Sequence, residues 1–139
     1  MSGDGQYEKD KLFFGLMFSA IEPNEVPADI HPVAVLERME RSSPAKARQG
    51  LRIALGDLVE QTTHLPHEAV VMLDKELAAR NASTLSEIRL RFSRQIRKAL
   101  KTGRITDETT YCLMRNAEQV AVDGEELERM RAMLAAYEG

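Results

Sequence analysis

Apolar residues recur along most of this chain at three- and four-residue intervals, the period of an amphipathic helix. The clearest runs lie in the second half. Thr84-Leu85-Ser86-Glu87 reads as a capping box: the threonine hydroxyl accepts from the amide three residues on, and Glu87 reaches back. The helix it opens is expected over Leu85 to Lys101, with Leu85, Ile88, Phe92, Ile96, Ala99 and Leu100 on one face. Gly103 supplies the left-handed stop. Thr106 is the expected cap of the next helix, with Asp107 and Glu108 at its positive end and Tyr111, Met114 and Ala117 facing inward. Asp123-Gly124-Glu125-Glu126 has the form of a second box and leads into Leu127, Met130, Leu134 and Tyr137.

Earlier in the chain, Ser43-Pro44 pairs a cap residue with proline at the first helical position, where the missing N–H costs nothing. Ala47, Leu51, Ala54, Leu55, Leu58 and Thr62 then form a stripe that predicts a helix from Pro44 to Thr63. Pro66 opens another, with Val70, Leu73 and Leu77 inward and an end near Asn81. A short helix is expected over Val33 to Arg41. Between Tyr7 and Ala20 apolar side chains occupy every side of a helical wheel, so a helix buried all round and a buried strand both fit. Leu and Met outnumber β-branched residues there, which favours helix. Glu22 to Pro32 contains Pro23, Pro27 and Pro32 and reads as a linker, the natural hinge of the chain.

The expected fold is therefore all-α, a single-domain bundle of about five to six helices. Residues 1–31 form an N-terminal apolar segment plus linker, and residues 32–139 form the bundle. Short links between the late helices imply antiparallel neighbours. At 139 residues, with 43% apolar and 29% charged side chains, the chain has material for a core without disulfides or metal.

The single cysteine, Cys112, lies in an apolar stretch and is expected to be buried as a small hydrophobe. One thiol also fits a reducing compartment. The most apolar run, Leu12 to Ile21, is too short to span a bilayer, its upstream flank is mixed in charge, and no cleavage pattern follows. The expectation is a cytoplasmic protein without membrane contact.

Net charge is only -3, but its distribution is uneven. Residues 87–104 hold seven basic side chains and one acidic, while residues 105–139 hold three and eight. On a continuous helix, Arg91, Arg94, Arg97, Lys98 and Lys101 project opposite the apolar stripe, Leu90 sits among them, and Arg104 follows the end. Three uses compete for this face. It can be a solvated exterior, or a surface for an anionic protein partner with Leu90 as a small apolar anchor. It can also lie along nucleic-acid phosphates. Against the last, the face lacks asparagine and aromatic side chains for reading or stacking on bases. Lys46, Arg48 and Arg52 extend the positive surface if the fold brings them alongside.

Catalytic constellations are not apparent. His64, His67 and Glu68 flank a helix start without the i, i+4 histidine pair of a zinc helix. Asp107-Glu108 and Glu125-Glu126 suit helix N-termini better than acid–base chemistry. The eight glycines form no phosphate loop. No metal, cofactor or catalytic residue is expected. The sequence thus points to a non-enzymatic helical protein acting through protein–protein contacts, a second copy of itself included, with a nucleic-acid-binding regulator as the alternative.

Overall fold

The computed structural model describes residues 2–21, 27, 31–122 and 124–139, without the side chains of residues 2–4 and 21. These form eight α-helices, and no strand occurs among them. They are α1 (Ser2–Ile21), α2 (Pro32–Ser42), α3 (Pro44–Gln61), α4 (His67–Ala79), α5 (Leu85–Phe92), α6 (Arg94–Thr102), α7 (Glu108–Glu118) and α8 (Gly124–Glu138). The all-α expectation holds; five to six helices was too few. The N-terminal run is helix, not strand. Most of the proline linker, and Asp123 of the second proposed box, lie outside the described residues.

Local chemistry sets the helix starts. His31 caps α2, its Nδ1 accepting from the Val33 amide at 3.1 Å, with Pro32 in the first turn. Ser43 caps α3 and Thr84 caps α5 through the full box, with Glu87 Oε1 accepting from the Thr84 amide at 2.9 Å. Asp107, not Thr106, caps α7: its carboxylate accepts from the Thr110 amide at 2.7 Å. A carboxylate also complements the helix dipole, which a threonine hydroxyl does not. Gly103 ends α6 at φ +81°, a left-handed conformation that suits glycine.

The largest departure from expectation is at Ser93. The basic helix is not continuous. Ser93 is fully buried and extended, ending α5 and capping α6, with its Oγ accepting from the Ile96 amide at 3.3 Å. Serine competes with the helical backbone for its own hydrogen bonds, so it breaks a helix where packing rewards a turn. Packing does so here. Leu85 and Ile88 enter one core cluster with Phe13, Met17, Leu36, Leu51, Leu55, Val59, Val70 and Leu77. Ile96, Ala99 and Leu100 enter another with Ile105, Leu113, Met114, Met130, Met133 and Leu134. Two cores therefore meet at the α5–α6 break, and α5 touches α3, α4, α6 and α7.

The first core is closed by α1. Phe13 is fully buried, which alone contributes about 2 kcal/mol relative to exposure. A Cβ added at Gly15 would stand 3.1 Å from Val33 Cγ2, so α1 and α2 approach closely there. No helix among the described residues is long and apolar enough to cross a membrane.

Candidate cationic surface

The break at Ser93 divides the basic block into two halves with different fates. On α5, Arg91 is engaged by α1. Its Nη1 and Nη2 donate to Asp10 Oδ1 and Oδ2, each at 2.9 Å. Asp10 is buried and also accepts from Gln6 Nε2 at 2.9 Å and Ser83 Oγ at 2.7 Å. The Ser83 amide donates to the Lys9 carbonyl at 3.2 Å, so this polar cluster ties α1 to the turn before α5. Arg91 also lies 4.8 Å above the Phe92 ring. Leu90 is half-buried against the second core, so it is not the exposed anchor expected of it.

Arg89 was missed as a site residue altogether. Its side chain is 1% exposed. One nitrogen donates to the Thr62 carbonyl at the end of α3, while Nε is buried and without a partner. Burial lowers the guanidinium pKa, against the opposing field of Asp74. This arginine donates into the end of α3 and is not surface charge.

On α6 the basic side chains stay outside. Arg94, Arg97, Lys98 and Lys101 are exposed, as is Arg104 beyond Gly103, while Ile96, Ala99 and Leu100 are buried. Acidic groups border them. The Arg94 amide donates to Glu60 Oε1 at 3.3 Å, and Arg97 lies 3.7 Å from Glu126. Asp107 is held below the usual carboxylate range by its hydrogen bonds to Thr110, with Lys98 adding to the effect. Lys98 and Arg104 line an open hollow of about 550 Å³ with Gln95, Thr102 and Thr110.

The fold does bring part of α3 alongside. Arg48 and Arg52 share a cleft with Arg91, floored by Leu51, Leu55 and Phe92 and edged by Gln6, Tyr7 and Asp10. Tyr7 is itself fixed. Its hydroxyl donates to Glu40 at 2.5 Å, and Lys11 donates to the same carboxylate at 3.3 Å. Burial raises the Tyr7 pKa, and so does the Glu40 charge. For Glu40, burial raises the pKa, but the hydrogen bonds from Tyr7 and Lys11 outweigh it and the net direction is down.

The remaining candidates are scattered. His67 Nδ1 lies 2.6 Å from Asn116 Oδ1, linking α4 to α7. Among the described residues no group of three His, Cys, Asp or Glu is placed to hold a metal ion. Cys112 is exposed, against the expectation of burial. Its apolar sequence neighbours Leu113 and Met114 turn inward, whereas the thiol points outward.

What α6 offers chemically is a one-sided array of long cationic side chains on a well-anchored helix. Such an array holds an anionic surface through salt-sensitive contacts. No family model, curated protein or solved structure matches the chain.

Proposed function

We propose that the protein is a non-enzymatic helical module that acts by holding an acidic protein partner, with α6 and the turn after it as the contact surface. The segregation on α6 carries this reading: three apolar side chains are buried while Arg94, Arg97, Lys98 and Lys101 stay exposed, with Arg104 beyond them. The glutamates bordering that face fix where an acidic partner can approach, because like charges placed opposite each other repel. A second copy of the chain fits the description, since residues 105–139 hold eight acidic side chains against three basic. A cytoplasmic setting belongs to the same proposal, because an exposed lone thiol stays reduced there.

Nucleic acid is the second reading. Its support is that Arg48 and Arg52 join Arg91 in one cleft, so positive charge extends beyond α6. Interleaved Glu60, Glu126 and Asp107 weigh against a continuous phosphate track.

Retention on immobilised poly-glutamate and on duplex DNA, at low and at moderate salt, separates the two. The proposal expects retention by poly-glutamate that Lys98→Glu/Lys101→Glu abolishes. Retention indifferent to that reversal, or by duplex alone, overturns it. Sedimentation identifies self-association if a dimer forms and dissociates with salt.

A further inference from the structure

Side chains of α1 and α3 line a hollow of about 310 Å³ to which α6 contributes nothing. From α1 come Phe14 and Phe18, one turn apart. From α3 come Ala54, Asp57, Leu58 and Gln61, and Pro32 at the start of α2 completes the lining. Among these lining residues Asp57 alone carries charge. It is exposed and makes no hydrogen bond or ion pair with any described residue. The Gln61 side chain is exposed and unbonded in the same way. Arg89, the buried cation at the end of α3, is not part of the lining. The carboxylate is therefore left without a counter-charge.

The aromatic side is set before any ligand arrives. The Phe18 ring lies 6.4 Å from that of Phe14 and meets His31 edge-on at 4.9 Å. His31 is held in turn, because its Nδ1 accepts from the Val33 amide at 3.1 Å. Such a lining suits a primary alkylammonium. Aromatic rings attract a cation through their quadrupole, the carboxylate and amide oxygens accept its N–H groups, and Pro32, Ala54 and Leu58 offer apolar contact to its methylene stem. Apolar surface continues outside the hollow. Ile53, 61% exposed, lies one turn before Asp57 on α3, and Val35, 40% exposed, lies one turn after Pro32 on α2. A free amine gains nothing from those two side chains, whereas a protein segment with apolar residues beside its lysine covers them.

We infer that this hollow docks a partner protein through one lysine side chain, whose apolar sequence neighbours rest on Ile53 and Val35. Asp57 takes the ammonium charge, the Gln61 carbonyl accepts a second N–H, and Phe14 and Phe18 flank the stem. No residue of α6 takes part, so either surface can fail while the other stands.

The test is an NMR titration of the full chain with a capped pentapeptide, Ala-Leu-Lys-Leu-Ala. Its analogue with norleucine in place of lysine, and butylammonium, are titrated separately at matched ionic strength. Saturable shifts of the Ala54, Asp57, Leu58 and Gln61 amides and of the Phe14 and Phe18 ring protons are expected with the lysine peptide. The norleucine peptide and butylammonium should each bind at least about fivefold more weakly. Asp57→Asn weakens the lysine peptide about fivefold and leaves the norleucine peptide unchanged. Ile53→Ser weakens the lysine peptide about threefold and leaves butylammonium unchanged. Both substituted side chains are exposed, and an unchanged amide spectrum away from the hollow verifies the fold. Butylammonium binding as tightly as the lysine peptide assigns a free amine and overturns the inference of a protein partner. Equal binding of the norleucine peptide, undiminished binding by Asp57→Asn, or no saturable shift at these groups overturns the inference as well.

Discussion

Breaking the Asp10–Arg91 contact should cost more stability when the exposed partner is removed than when the buried one is. Arg91 keeps 39% of its side-chain surface in solvent and Asp10 only 6%. In Arg91→Met the carboxylate stays buried with only Ser83 and Gln6 as donors. A stranded buried charge costs about 3–5 kcal/mol. The two surviving hydrogen bonds place this variant at the lower end, about 3 kcal/mol. In Asp10→Ala the guanidinium turns to water, and the main residual loss is the acceptor for buried Ser83. That puts the cost at about 2 kcal/mol, between a fully buried pair and an exposed one. With a urea slope of about 1.5 kcal/mol/M, the midpoints fall by about 2 M and about 1.3 M respectively. Asp10→Ala/Arg91→Met should lose clearly less than the sum of the single variants, because the second removal takes away the charge that the first one stranded. Urea unfolding of the four proteins by far-UV circular dichroism measures all three quantities. Single-variant losses under 0.5 kcal/mol, or strict additivity, would refute the argument that this contact docks α1.

Arg89 tests the reverse case, a buried charge whose replacement by an apolar side chain does no harm. The Thr62 carbonyl also accepts from the Leu65 amide at 3.1 Å, so Arg89→Met should be neutral or stabilising by about 1 kcal/mol. Arg89→Ala, which leaves a void, should cost about 2–4 kcal/mol, and thermal midpoints of the two variants distinguish them. Ser93→Ala removes the cap of α6 and should cost about 1 kcal/mol by the same urea assay; no loss would mean that the break does not depend on the hydroxyl. The Tyr7 and Lys11 pKa values are both raised in the folded protein, so their contribution is complete below pH about 10, declines above that, and is lost as pH rises through the raised folded values. Thermal midpoints from pH 8 to 11 should fall, and less steeply in Tyr7→Phe; parallel curves would count against the Tyr7–Glu40 contact.

What could be read from the chain was what is decided within a few residues. The Thr84 box, the Ser43-Pro44 start and the Gly103 stop are each set by chemistry at three- or four-residue range, and each is in place. The break at Ser93 was hidden because the apolar stripe continues in phase on both sides of it, though its halves serve different cores. Two signals stood in the sequence. Serine three residues before Ile96 is a cap pattern, and Arg89 falls about 40° from Leu85, inside the apolar arc where a solvated arginine does not belong. Replacing Thr106 by Asp107 as the α7 cap was a one-residue ambiguity between two competent residues. Arg91 with Asp10 could not have been anticipated, since 81 positions separate them and only the docking of α1 brings them together.

The division of the basic block at Ser93 decides which cations are anchored and which face outward, and backbone chemical shifts measure it directly. On uniformly labelled protein, Cα and Cβ shifts should show two helical runs, Leu85–Phe92 and Arg94–Thr102, with Ser93 extended between them. An unbroken helical signature through Ser93 would contradict the account, since it would return Arg91 to the same outer face as Arg94 and Lys98.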